Sequence, residues 1–210
     1  MNPTSQRQNL VAFYFGPIVA TGDVSSAAVI NIVANRAYQD LQRTLRRFGS
    51  HPHKQTLKKQ TRDSIAEFVT DLGSCESQED FDERHYQWCE QTCKTFEKFS
   101  HEGFVFHYGQ AQKWLNMTLK YLAVLDHPLV QRVYTYLHIP VDINIFREAA
   151  RFGVDRPQAA WSTLGREEYG SYQKKLRDMV TTTEYSCPMD WESDVWVTRL
   201  ATSTSSSQKA

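Results

Sequence analysis

The stretch His138-Ile139-Pro140-Val141-Asp142-Ile143-Asn144-Ile145-Phe146-Arg147 decides how this chain is read. A proline and a carboxylate stand at the mouth of an amphipathic helix, which the spacing predicts from Pro140 to about Phe152, with Gly153 ending it. A carboxylate there keeps its charge at low cost, because free backbone N–H groups and the helix dipole favour an anion. Upstream, Gln110-Ala111-Gln112-Lys113-Trp114 places a lysine one turn inside a long helix, flanked by Ala111, Trp114 and Leu115. Apolar flanks desolvate an amine, and desolvation makes an amine a usable nucleophile near neutral pH.

Working outward, most of the remaining chain also reads as helix. Asp23-Val24-Ser25-Ser26 starts a helix carrying Val29, Ile32, Val33, Ala37, Leu41 and Leu45, expected to run to Gly49-Ser50-His51-Pro52. Thr56 to Leu72 and Ser77 to about Phe99 are two more. His101 to Tyr108 is a connector, and Gly109 to Leu125 is a long apolar helix. Pro128 suits the first position of a short helix to Leu137. A helix over Glu167–Met179 and a final one that follows Cys187-Pro188-Met189-Asp190 and runs to about Leu200 close the chain. Met1 to Gln8 is polar and reads as loose. Leu10 to Phe15 is either a short strand or the buried first turn of a helix. The fold expected is all-α: one compact multi-helix domain over 1–201, with a disordered Ser/Thr tail over 202–210.

Composition agrees. Nine glycines and seven prolines in 210 residues are too few for the many turns of an all-β fold. With 24 basic against 24 acidic residues, a nucleic-acid surface must come from uneven distribution rather than total charge. The distribution is uneven: Arg36, Arg43, Arg46, Arg47, Lys54, Lys58, Lys59 and Arg62 surround the single acid Asp40, and Glu76 to Glu90 reverses the sign. The bland account is two solvated helix faces; the functional one is a phosphate-binding face. Cys75, Cys89, Cys93 and Cys187 lack a disulfide-framework spacing, and no run approaches a membrane span, so a reduced, cytoplasmic, monomeric protein is expected.

The block from Ile139 to Gly153 resembles a signature of the helix-hairpin-helix DNA glycosylase superfamily, a Pro/Ala-Val-Asp-Thr-His/Asn-Val/Ile-x-Arg stretch opening a helix. The resemblance implies that Asp142 is the catalytic carboxylate and Lys113 the lysine nucleophile of the bifunctional members. It spans roughly residues 101 to 153. Only Gly103 and Gly109 bracket the connector where a Gly-x-Gly hairpin is usual, Ile143 replaces a small polar residue, and Asp142 lies 29 residues beyond Lys113. That long spacing is more like the archaeal 8-oxoguanine glycosylase branch, which is also all-α. The implied partner is double-stranded DNA with a modified base, flipped out because its glycosidic bond is unreachable in the stack. Excision would serve base-excision repair or defence against phage with modified DNA.

Further residues are assigned around this pair. Gln110, Gln112, Asn116, Pro140, Glu192 and Trp196 are the expected base pocket, since a Trp face stacks on a base while a carboxylate or amide bonds its edge. Arg46, Arg47, Lys58, Lys59, Lys120, Arg147 and Arg151 are the expected phosphate contacts. The duller assignments are Asp142 as a plain N-cap, Lys113 as a surface lysine, and Trp191 and Trp196 as core. His85, Cys89 and Cys93 recur at i, i+4 and i+8, with His101 or Cys187 as a fourth candidate ligand, but three ligands over two turns of one helix rarely converge on one ion. No metal, iron–sulfur cluster or other cofactor is expected. Arg46 with His51, or Arg47 with His53, matches the loose Arg-x4–6-His pattern of HEPN-type ribonucleases, although Gly49 and Pro52 break the helix between them. A non-catalytic helical nucleic-acid-binding protein is the third possibility.

Overall fold

The computed structural model describes residues 3–206, and side chains over 6–197. Among the described residues it holds ten α-helices and no strand: α1 (Pro3–Phe15), α2 (Pro17–Thr21), α3 (Ala27–Leu41), α4 (Lys54–Asp71), α5 (Gln78–Glu97), α6 (Tyr108–Val124), α7 (Pro128–Arg132), α8 (Ile143–Ala150), α9 (Arg166–Val180) and α10 (Pro188–Ser206). The hydrophobic helix α6 is the axis. Its residues from Tyr108 to Asn116 are all buried, and it packs on α3, on α5 and on a 3-10 turn at Trp161–Thr163. A helix buried on every side marks the middle of a bundle, and one apolar core surrounds it.

Caps explain most of the starts. Ser26 accepts from the Val29 N–H at 3.3 Å and Ser77 from the Asp80 N–H at 3.1 Å, opening α3 and α5. Several expectations need correction. The polar N-terminus is helical from Pro3, because Arg7 reaches the Val124 carbonyl and pairs with Asp126 while Val11 and Phe15 pack on the core. Helix α3 stops at Leu41, well short of Gly49. The Thr44 hydroxyl takes the Leu41 carbonyl at 2.8 Å, the Gln110 amide takes the Thr44 carbonyl at 3.0 Å, and Arg47 turns into the left-handed region at φ 67°. The segment after Pro128 divides into α7 and a 3-10 turn at Tyr134–Tyr136. Helix α8 begins at Ile143 rather than at Pro140, so that 137–142 is extended. The last helix continues to Ser206, past the expected boundary at 201, and 207–210 lie outside the described residues.

Gly109 is required by close approach. A Cβ there would stand 2.0 Å from the Trp161 carbonyl oxygen, while its own N–H donates to the Leu164 carbonyl at 3.1 Å. Gly109→Ala is therefore expected to push the Trp161–Thr163 turn off α6 and lower stability by about 1–3 kcal/mol. Gly49, where an added methyl would meet nothing within 4 Å, is the matched control. Urea unfolding of both alanine variants checks this; equal midpoints would refute the account of the contact.

Candidate active site

The extended segment 137–142 lies against α6 and is held there by side chains. Gln112 donates to the Val141 carbonyl at 3.1 Å and accepts from the Val141 N–H at 3.4 Å. Asn116 and Gln173 both donate to the Ile139 carbonyl, at 3.2 and 2.8 Å. Lys113 donates to the Pro140 carbonyl at 3.2 Å and to Asp142 Oδ2 at 2.9 Å. The other carboxylate oxygen, Oδ1, accepts the N–H groups of Asn144 and Ile145 at 2.8 and 3.1 Å, the N-cap of α8. Asp142 is thus the N-cap of α8, as its duller assignment has it, and it also pairs with Lys113.

The pair is deep. Only 6% of the Lys113 side chain and 13% of that of Asp142 is exposed. Burial raises a carboxyl, but the Lys113 ammonium and the two capping N–H groups outweigh it and hold Asp142 below the ordinary carboxylate value. The Trp161 ring lies 5.9 Å from Lys113 Nζ. What exposure remains opens into a cleft of about 670 Å³, within the range of small-molecule sites. Two stripes line it, Arg36, Gln39 and Asp40 of α3 continued by Arg43 in the 3-10 turn after it, and Lys113, Met117, Lys120 and Tyr121 of α6. Asn144, Trp196 and Tyr14 complete the wall. Tyr121 donates to Asp40 Oδ2 at 2.8 Å, and the Arg36 guanidinium lies 4.6 Å from the Tyr14 ring centroid and 3.3 Å from Asp40.

Of the residues assigned from sequence, the structure brings Lys113, Asp142, Lys120 and Trp196 to this cleft. Pro140 is buried behind it and offers only its carbonyl, to Lys113. Gln110 caps α6, accepting from the His107 N–H at 2.9 Å and donating to Thr44. Gln112 and Asn116 are fully buried and fully engaged, so they position the segment above rather than face the cleft. Glu192 is buried and paired with Lys120, and Trp191 is core while Trp196 is not. Among the expected phosphate contacts, Lys59 is paired with Asp63, Arg151 with Glu148, and Arg47 donates to the Glu102 carbonyl at 2.6 Å. Arg46 and Arg147 are exposed, and Lys58 covers the Tyr38 ring.

Gln39, Tyr14, Tyr121 and Asn144 were not anticipated from sequence, and Arg36, Asp40 and Arg43 stood out only as members of a basic stretch. The available signal was two polar stripes at i, i+3/i+4, i+7 on helices that otherwise face the core. The other constellations are occupied elsewhere. His51 is buried, with Nε2 on the Phe99 carbonyl at 2.8 Å and Nδ1 accepting from the His53 N–H at 3.1 Å. His85 bonds Asn116, Cys89 lies beside it, and no three His, Cys, Asp or Glu side chains among the described residues are placed to hold a metal. No helix among them is long and apolar enough to cross a membrane. Compared with family models, curated proteins and solved structures, the chain matches none.

Behind the segment, a buried network continues from Asn116 through Tyr169 (2.8 Å) and His138 (2.9 Å) to Asp82 (2.7 Å), which Arg177 also holds at 2.8 Å. Burial would raise Asp82; His138, the Gln78 amide and Arg177 outweigh it and bring it down to about 2. A carboxylate held below its unfolded value stabilises the fold above that value, and the contribution is lost as pH falls through the folded value. For Asp82 the window runs from about pH 4 down to about pH 2. Asp82→Asn is therefore expected to be less stable than wild type at pH 7 and to lose stability less steeply through that window. Thermal unfolding across the pH range checks this; parallel curves would remove Asp82 from the acid transition.

Proposed function

We propose that this protein is a DNA glycosylase with an associated lyase activity, a divergent relative of the helix-hairpin-helix superfamily acting as a cytoplasmic monomer on double-stranded DNA. The observation that carries the reading is the Lys113–Asp142 pair at 2.9 Å on the floor of a polar, cation-lined cleft. Burying two charges is expensive, and as a source of stability a buried ion pair is often matched by apolar residues. A buried pair that also opens into a cleft is the arrangement catalysis uses.

In this reading a flipped nucleotide enters between the α3 and α6 stripes, with Trp196 available to stack on the base and the Gln39 and Asn144 amides to bond its edge. Lys113 transfers a proton to Asp142 and its amine attacks C1′ of the sugar as the bond from C1′ to the base breaks. The departing base takes that proton from Asp142, which, ionised again, stabilises positive charge on the sugar. A proton then passes from the sugar-bound amine to the ring oxygen as the C1′–O4′ bond breaks, giving a protonated Schiff base, and loss of a C2′ proton to Asp142 or water expels the 3′ phosphate as the C3′–O bond breaks. With Lys113 kept protonated, only hydrolysis remains, with Asp142 orienting a water. Oxidised purines and hypermodified pyrimidines are the substrate classes considered, in base-excision repair or in antiviral defence respectively.

Borohydride trapping on duplexes carrying oxidised, deaminated, alkylated and hypermodified bases tests this. Wild type is expected to form a covalent adduct with one class. Lys113→Ala is expected to abolish the adduct, and Asp142→Asn to slow base release by at least about 100-fold. Base release without an adduct would leave Lys113 a binding residue. No release from any duplex, with RNA cleaved instead, would replace the reading with a ribonuclease.

A further inference from the structure

Lys54, Lys58 and Arg62 follow one another at i, i+4 and i+8 along α4, so they stand on one face. None meets a carboxylate among the described residues. Lys54 reaches the Gly49 carbonyl at 3.5 Å, the Lys58 ammonium sits 4.0 Å over the Tyr38 ring, and Arg62 donates to Asn35 Oδ1 at 3.3 Å. Lys59, the neighbour that turns the other way, is neutralised by Asp63 at 2.6 Å. Like charges one turn apart destabilise a helix. Here partial burial, with Arg62 and Lys54 adding to it, draws Lys58 below the ordinary lysine value. The fold keeps this row of cations uncompensated at a cost.

Its place relative to the cleft follows from α3. The row leans on Tyr38 and Asn35. Turning about the α3 axis at about 100° per residue, the order runs Tyr38, Asn35, Gln39, Arg36, Asp40. The cation row and the cleft are therefore the two flanks of one helix, about 10–12 Å across with its side chains. Gln39, on the outward arc between them, and Gln42 and Arg43, in the 3-10 turn that follows α3, line the cleft. Arg43 is exposed and makes no ion pair among the described residues, and Arg46 and Arg47 continue the positive charge beyond the end of α3. The one acid in this part of the chain, Asp40, is turned to Tyr121 and Arg36.

We propose that the outer face of α3 and α4, through Arg43, Lys54, Lys58 and Arg62, seats the phosphodiester backbone of duplex DNA beside the cleft. The choice of duplex DNA as the polyanion rests on the glycosylase reading; the face itself does not. Each phosphate neutralised by a lysine or arginine steepens the salt dependence of binding by about one in log–log slope.

The test is anisotropy of a labelled, unmodified duplex with the full chain, from about 50 to 200 mM salt. K54Q/K58Q/R62Q is expected to bind more weakly and to lower the slope by about 2–3, each single glutamine variant by about 1, and K59Q to leave it unchanged. Circular dichroism and thermal midpoints of the singles keep the result readable if the triple variant unfolds. A wild-type slope in every variant, or a wild-type protein that binds no duplex, would overturn the proposal. A wild type that binds with the expected slope while releasing no base from any modified duplex would instead overturn the glycosylase reading and leave this face standing.

Discussion

The structure turns on one constraint: an irregular, buried stretch of backbone must have its polar groups satisfied, and here the side chains of a single helix satisfy them. The carbonyls of Ile139, Pro140 and Val141 are met by Asn116, Lys113 and Gln112 of α6, with Gln173 of α9 adding a second donor to Ile139. Leaving any of these buried carbonyls unpaired costs about 1–3 kcal/mol, so the extended segment can exist only in the register those donors dictate. That register brings Asp142 to the first free N–H groups of α8 and within reach of Lys113. The ion pair follows from how the segment is stitched down.

This explains what the sequence made legible. Helix existence was readable because Ser26, Ser77 and Pro128 announce starts and the apolar residues of α3 to α6 recur at helical period. The ends were less so. Helix α3 stops at Leu41 because the Gln110 amide, far along the chain, and the Thr44 hydroxyl take up carbonyls that continued helix would have needed. Nothing local to Leu41 predicts a partner 66 residues away from Thr44. The start of α8 was misplaced for a related reason. Pro140 is a common first residue of a helix, but its carbonyl is drawn to Lys113 and its successor to Gln112, which leaves Asp142 as the cap.

The same physics separates the assigned residues that meet at the cleft from those that do not. Lys113 and Asp142 were found because each carries chemistry that its local sequence position alters. Gln112 and Asn116 were placed in the base pocket because polar residues on an apolar helix invite a ligand. Their actual ligand is the protein's own backbone. Polarity in a buried helix marks a demand for hydrogen bonds without saying whose, and only the fold answers that. Arg36, Asp40 and Arg43 stood out in the sequence only as part of a basic stretch, and that they wall a cleft together with Gln39 is invisible until α6 is laid beside them.

A buried ion pair is a poor way to gain stability, since apolar residues of similar volume often do as well or better. Here, however, it cannot be replaced piecemeal. Asp142 supplies the cap of α8, and Lys113 supplies the donor for Pro140, so each charge also discharges a hydrogen-bonding duty that an apolar residue would abandon. The lysine is thereby held between a carbonyl and a carboxylate, with Trp161 on a further side and the cleft open before it. An amine so confined has lost most of its rotamer freedom before any ligand arrives, and that loss is met by folding rather than by binding. In the proposed glycosylase a nucleophile positioned in this way is preorganised as a consequence of backbone satisfaction, and the contacts that serve the structure are the ones the proposed chemistry would use.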